Sequence, residues 1–299
     1  MAQRDPESKA IGIIGGSGLY QMEGLVDLTE HHVDTPFGPP SDNYISGRLA
    51  DSDLRLIFLP RHGRGHRYLP HEINYPANIH GFKQLGVEHL LSVSAVGSLR
   101  EEIHPGDIVL PDQFIDRTRS RRSTFFGDGA AAHVQFGDPV CAVVHEALCG
   151  AADAVLATPP HGGSVHKKGT YVVMEGPAFS TRAESHMYRS FGASVIGMTN
   201  LPEAKLAREA EICYATVALS TDYDCWHTEE VSVEAVIAVV QSNVKKAQAI
   251  VKQAAQKLAL REARTCRCAT ATRGALMTSP AVVPVATRQR LSLILKDLA

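Results

Sequence analysis

Two carboxylates one residue apart, Asp222 and Asp224, stand in the stretch Thr221-Asp222-Tyr223-Asp224-Cys225-Trp226, directly after the apolar run Ile212–Ser220. Paired acids at this spacing can give a proton to one atom of a ligand and accept a hydrogen from another. The apolar run reads as a buried strand. Side chains alternate along extended backbone, so both acids face the same way if the strand persists through them. Ligands of open α/β sheets gather beyond the carboxyl ends of the strands, where this pair would lie. Taken alone, the stretch reads equally well as a polar loop after a core strand, with its acids capping or solvated.

Three further stretches carry groups suited to an anion. Ile11–Ile14 runs into Gly15-Gly16-Ser17-Gly18, a turn whose free N–H groups and hydroxyl can hold a phosphate. It fits neither the GxGxxG dinucleotide fingerprint nor the GK[ST] ending of a P-loop, so a plain tight turn is the alternative. Leu54–Leu59 delivers Pro60-Arg61-His62-Gly63, a guanidinium and an imidazole at a strand end. A basic surface loop is the bland reading there. Val87–Val93 ends in Ser94-Ala95-Val96-Gly97-Ser98, read as another small-residue turn. With the strands side by side, Ser17, Arg61, His62 and Ser94 converge at one edge.

The elements that must position these groups follow from hydrophobic period. Strands are expected at 11–14, 44–49, 54–59, 87–93, 106–111, 169–175, 193–197 and 212–220. Helices are expected at 71–85, 140–151, 203–210 behind Pro202, 232–263 and 287–298. A further helix, to about Phe191, opens on the capping box Thr181-Arg182-Ala183-Glu184. The stripe Val233, Val236, Ile237, Val240, Val244, Ile250 and Val251 reads mainly as core packing. Arg117 to Gly137 reads as loop, with Arg119, Arg121 and Arg122 on it and His133 as a surface histidine.

This alternation predicts one α/β domain over 10–299, including a C-terminal helical segment, after a disordered lead-in at 1–9. The chain has 299 residues, 44% of them hydrophobic, and a net charge of −2. So slight a charge argues against a nucleic-acid or membrane-surface partner. No apolar run reaches about 18 residues, so no membrane span is expected, and a polar start without a signal peptide's apolar core points to the cytoplasm. Six cysteines are too thinly spread for a disulfide framework. Cys141, Cys149, Cys213 and Cys225 read as buried thiols. Cys266-Arg267-Cys268 is a close pair, expected as free thiols with a disulfide as the minority reading. Two thiols do not complete a zinc site and no second pair stands at a convincing spacing, so no metal is expected.

The ordered set Ile13-Ile14-Gly15-Gly16-Ser17-Gly18, Arg61-His62-Gly63, Gly97-Ser98-Leu99-Arg100-Glu101-Glu102, Asp112-Gln113-Phe114-Ile115-Asp116-Arg117-Thr118, Glu175-Gly176-Pro177, Met198-Thr199 and Thr221–Trp226 resembles the methylthioadenosine phosphorylase branch of the trimeric purine nucleoside phosphorylases. The likeness spans residues 10 to 260. It implies a single domain with a central mixed β-sheet flanked by helices, assembled as a homotrimer with sites near subunit boundaries. It also implies phosphorolysis of 5′-methylthioadenosine to adenine and 5-methylthioribose 1-phosphate. Inorganic phosphate is then a co-substrate, and no metal or organic cofactor is implied.

By the same resemblance, Ser17, Arg61, His62, Ser94, the backbone of Ala95 and Thr199 match phosphate positions. Met198 matches a residue against the ribose, and Phe179 and Ser180 match base-pocket positions. Val233 and Val236 match the apolar pocket for the methylthio group, and His133 matches a residue lent by a neighbouring subunit. Asp222 would supply the proton that adenine N7 needs as the glycosidic bond breaks, and Asp224 would accept from the exocyclic amine.

Ser17 and Ser94 stand where threonine is common in relatives, Ala178 where arginine is, and Val96 where cysteine is. The hydroxyls survive, so phosphate binding does too. After Ala263 the chain matches eukaryotic members poorly, and its Cys-x-Cys pair resembles prokaryotic branches. The alternatives are a phosphorylase of 6-oxopurine nucleosides or methylthioinosine, against which the acid pair speaks, and a nucleoside-binding module without catalysis.

Overall fold

The computed structural model describes residues 10–16, 18–50, 52–227, 233–261 and 263–295. The lead-in at 1–9 and Ser17 therefore lie outside the described residues. The elements run β1 (Ala10–Gly15), β2 (Leu25–His31), β3 (Tyr44–Leu49), β4 (Arg55–Pro60), α1 (Tyr75–Gln84), β5 (His89–Ser98), β6 (Ile108–Val109), β7 (Gln113–Arg117) and α2 (Ala142–Leu156). They continue β8 (Val165–His166), β9 (Thr170–Met174), α3 (Arg182–Ser190), β10 (Val195–Gly197), α4 (Asn200–Glu209), β11 (Cys213–Tyr223), α5 (Val233–Ala259) and α6 (Val285–Leu291).

One mixed sheet takes all of these strands, in the order β2-β3-β4-β1-β5-β10-β9-β7, with β11 on the other side of β5 and β6 and β8 beyond it. β1 pairs in parallel with both β4 and β5, and β11 runs parallel to β5. β3 is antiparallel to β4. The expected α/β architecture with a mixed central sheet is the one observed. β1 is buried along its whole length, because alternate residues feed two cores. Ile11 and Ile13 point to the side of α2 and α5, with Val144, Leu148, Ile250 and Val251. Ile14 points to the side of α1 and α4, with Ile79, Phe82, Leu206 and Ala207. Among the described residues, no helix is long and apolar enough to cross a membrane.

The sheet forks at β5. Along one edge β11 accompanies it throughout, from His89 to Ser98. Along the other, β1 pairs only as far as Ser92, and β10 takes over at Gly97 and Ser98. The backbone from Val93 to Val96 lies in the opening between them. This corrects the sequence reading of Ser94–Ser98 as a turn: those residues are strand, held extended by β11. Their small size leaves the fork open rather than bending the chain.

Other boundaries shift for identifiable reasons. β11 extends three residues past the apolar run, through a bulge at Thr221 that offsets Ser220 and Asp222 against Val96 and Gly97. β2 is largely exposed and was invisible to the apolar pattern; its charged residues suit a sheet edge. α1 starts at Tyr75, where Asn74 caps it by accepting from the Ala77 N–H. The Thr181–Glu184 capping box forms as read. α5 stops at Ala259 and α6 at Leu291, short of the expected 263 and 298, and 296–299 lie outside the described residues.

Candidate active site

Strand register brings the anion-suited groups level with one another. Ile14 is opposite Ser92, and Gly15 is opposite Pro60. Gly16, Arg61 and Ser94 therefore follow in one row at the fork. β10 approaches antiparallel from the far side and carries Met198, Thr199 and Asn200 toward the same place. The Ser94 hydroxyl donates to Asn200 Oδ1 at 3.1 Å and lies 3.4 Å from the Tyr171 hydroxyl. Thr199 is the residue preceding α4 and is buried beside this group. Gly197 makes this packing possible, since a Cβ there would stand 2.0 Å from the Tyr171 oxygen. Asn200 is fully buried, yet its Nδ2 has no partner. A buried donor left unpaired is costly unless a ligand satisfies it, and an oxyanion would. Ala95 is exposed although Ser94 and Val96 on either side are buried, which marks it as lining the opening.

His62 is half-buried, with Nδ1 donating to the Tyr68 carbonyl at 2.8 Å and its ring stacked on His66 at 4.1 Å. Burial pushes its pKa down to about 4, with Arg61 and His66 adding to the effect and the Tyr68 bond opposing it. It is thus neutral near pH 7, and a nearby dianion would draw it toward the charged form.

Arg61 is placed differently from the expectation of a guanidinium facing an anion. It is 2% exposed, and its Nε and Nη2 bond the carboxylate of Glu203, itself fully buried. Nη1 donates to Val93 O at 3.0 Å, and Nη2 also reaches Ser92 Oγ at 2.7 Å and Ile14 O at 3.3 Å. Arg61 therefore stitches β1, β5 and α4 together beneath the fork. Glu203 also accepts from Ser92 Oγ and Tyr214 OH, which completes a satisfied buried charge pair.

The acids lie farther along the same strand pair. Asp222 is opposite Gly97, three residues beyond Ser94, which is roughly 10 Å at strand rise and leaves room for a sugar between. Thr221 donates to Asp222 Oδ1 at 2.6 Å. Burial raises the pKa of Asp222, and the neighbouring Asp224 raises it further. Burial likewise raises Asp224, which is 8% exposed and whose N–H donates to Ser98 O at 3.0 Å. The Trp226 indole N–H shares that carbonyl at 2.8 Å, while Arg189 covers its ring at 3.5 Å. The bulge at Thr221 turns this end of the strand without breaking it.

The remaining expected residues divide. Met198 packs so closely on Gly176 that a Cβ there would stand 2.6 Å from its sulfur, and Gly176 has a φ of +67° that favours glycine anyway. Ser180 is buried beside Met174 and accepts the Cys225 thiol on its carbonyl, so it stands next to the acids. Phe179, next in line, is 83% exposed. His133 is exposed on a loop pinned to the C-terminal segment, with His133 N donating to Ala275 O. Val233 and Val236 stand in the first turns of α5, and their side chains lie outside the described part.

Arg121, read in the sequence only as one arginine on the 117–137 loop, is the organiser that pattern reading missed. Its side chain is fully buried. It donates to Tyr75 OH and Leu201 O at 3.0 Å, to Met174 O at 3.2 Å, and to the carbonyls of Met198 and Glu175. Three segments that line the opening are thereby fixed to one side chain. No local signal marks it, because each acceptor is more than forty residues away in sequence.

A profile of the Phosphorylase superfamily matches residues 10–256. The S-methyl-5′-thioadenosine phosphorylase of Geobacter sulfurreducens is 58% identical over 290 residues, which is 96% of this chain and 98% of that one. The crystal structure of a methylthioadenosine phosphorylase sourced from an antarctic soil metagenomic library superposes with a TM-score of 0.91 at 49% identity, covering 96% of this chain and 99% of that chain. Methylthioadenosine phosphorylase from Schistosoma mansoni in complex with adenine gives 0.80 at 34% identity, covering 91% and 99%. With its fork, its acid pair at the end of β11 and likeness along nearly its whole length, the chain belongs to the phosphorylase superfamily, in the family of the S-methyl-5′-thioadenosine phosphorylases.

Proposed function

We propose that this protein cleaves 5′-methylthioadenosine with inorganic phosphate, releasing adenine and 5-methylthioribose 1-phosphate. The observation that carries this is the spacing along β5 and β11 of a neutral-donor anion cradle and two acids raised by burial. Phosphate is held at the fork by the Ser94 and Thr199 hydroxyls, the Ala95 N–H, the orphan Asn200 amide and His62, with Ser17 completing the set. Such preorganised donors place the nucleophile under the anomeric carbon and stabilise charge as it moves. Arg61 acts on this cradle by holding its floor, since its guanidinium is bound to Glu203.

Cleavage leaves negative charge on adenine. Asp222, kept toward its neutral form by burial, gives a proton to N7. Asp224 accepts from the exocyclic amine and so selects adenine over 6-oxopurines. Met198 lies against the ribose, Phe179 and Ser180 border the base, and Val233 and Val236 receive the methylthio group.

The working unit of this reading is a homotrimer in which each copy lends the His133 loop to the next. Exposed apolar side chains support it: Met277 at 69%, Val282 at 69% and Val285 at 70% lie on the segment that anchors this loop. The deciding experiment measures phosphate-dependent base release from methylthioadenosine, adenosine and inosine in parallel. Methylthioadenosine should lead in kcat/KM, and Asp222→Asn with Asp224→Asn should lower it by roughly a hundredfold or more. Preference for inosine, or full activity in the double variant, would sink the reading.

A further inference from the structure

The Cys266–Cys268 pair is not alone. The sulfurs of Cys141, Cys213, Cys266 and Cys268 all lie within 4.8 Å of one another. Cys141 immediately precedes α2, Cys213 opens β11, and after α5 Cys266 precedes a one-turn helix, Arg267–Thr270, that contains Cys268. Three are buried and Cys266 is half-buried. All six cysteines are free thiols in this structure. The Cys213 and Cys266 sulfurs are 3.2 Å apart, well beyond a disulfide bond of about 2 Å. Four thiolates around zinc, with Zn–S near 2.3 Å, would put the sulfurs roughly 3.8 Å from each other in a tetrahedron.

We propose that Cys141, Cys213, Cys266 and Cys268 bind one structural zinc ion as a closed tetrathiolate site. The donor set is wholly soft, which selects zinc or another thiophilic ion over magnesium or calcium. Four protein ligands leave no open position, so the ion organises structure and takes no part in the reaction. The reacting end of β11 is also far away: Cys213 starts the strand and Asp222 nearly ends it, roughly 30 Å at strand rise.

The ion would act as a clasp. It ties the segment after α5 to the foot of the sheet and to the start of α2. That segment in turn carries Ala275 and Met277, which hold the 131–133 loop through backbone bonds of 2.9 and 2.8 Å. Loss of zinc should therefore loosen the C-terminal segment and the His133 loop before it disturbs the acids.

The test uses the full chain, purified with reductant from zinc-supplemented culture. Elemental analysis should give about one zinc per chain, falling at least roughly tenfold in Cys141→Ser and Cys268→Ser. Titrating wild-type thiols with an organomercurial should release that zinc, read by a chelating dye, and needs no variant to fold. Cobalt(II) added after metal removal should give the intense visible absorption of tetrahedral thiolate ligation. Metal removal should lower the thermal midpoint, and zinc should restore it. Background zinc in the reduced, zinc-supplied protein together with six titratable thiols would overturn the proposal. So would a metal-free protein whose thiol count, without reductant, is short by two or four.

Discussion

Replacing Arg61 by methionine separates a scaffold role from direct contact with phosphate. The Arg61 side chain is 3% exposed and that of Glu203 is 0%. Removing the cation leaves the carboxylate with only the Ser92 and Tyr214 hydroxyls, at 3.2 and 3.1 Å. Stranding one partner of a buried pair typically costs about 3–5 kcal/mol. At about 2–4 °C per kcal/mol for a chain of this order of size, the thermal midpoint should drop by roughly 6–20 °C. Glu203→Met strands the guanidinium instead and should cost a similar amount. The double variant buries no charge, so it should be more stable than the sum of the two by about 2 kcal/mol. Scanning fluorimetry and urea titration read these shifts, and steady-state kinetics on the surviving protein reads the site. Because its guanidinium donors are spent inside the protein, Arg61→Met should weaken phosphate and nucleoside together, within about tenfold of each other. A variant with the wild-type midpoint and a phosphate KM alone raised by roughly a hundredfold would refute this reasoning.

Asp222→Asn should lower kcat/KM by roughly a hundredfold or more while leaving the protein as stable or more so. The sign follows from the raised pKa: the folded protein keeps the proton where the unfolded chain has lost it. Ionised Asp222 thus weakens the native state as pH climbs above the ordinary carboxylate range. The variant's midpoint should exceed wild type at pH 8 and converge on it near pH 4, and a variant less stable at pH 8 would contradict the assignment. Arg121→Met removes a donor from the carbonyls of two segments and from the Tyr75 hydroxyl, so it should cost about 3–5 kcal/mol and raise the nucleoside KM more than the phosphate KM. Arg121→Lys should recover only part, because an ammonium cannot span those acceptors; full recovery would count against the organising role of Arg121. Light scattering on a sizing column should give a trimer for wild type and for His133→Ala. The variant should shift preference between methylthioadenosine and adenosine, and a fully active monomer would end the shared-site idea.

Much of the fold was legible because apolar period marks strands buried on both faces. The runs ending near Ile14, Leu59 and Ser220 became β1, β4 and β11, and the Thr181 capping box placed α3. β2 escaped because an exposed edge strand carries no apolar pattern. Ser94–Ser98 was misread because small residues signal turns locally, whereas here β11 holds them extended beside an opening. The strands that carry the candidate groups were readable, but the partners of those groups were not. Glu203 lies 142 residues from Arg61, and Arg121 acts on residues 174–201, so neither pairing leaves a mark in sequence spacing. The cysteines make the same point. The Cys-x-Cys pair was plain, but Cys141 and Cys213 looked like isolated core thiols until the fold closed around them.

The distance in sequence between Arg61 and Glu203 also sets a timetable for synthesis. At about 5–20 residues per second, a ribosome needs roughly 7–30 s to travel those 142 residues. For most of that interval β1, β4 and β5 exist without the acid that neutralises the cation among them. Arg121 waits too, for carbonyls 54 and 80 residues downstream. The nascent amino-terminal half must therefore stay open, with Arg61 in water, until α4 emerges. Protease pulses on stalled chains of graded length would show protection of β1–β5 arriving in one step, after residue 203 has cleared the exit tunnel. Early protection would mean that the strands close over an unpaired guanidinium, against the cost that buried charge imposes.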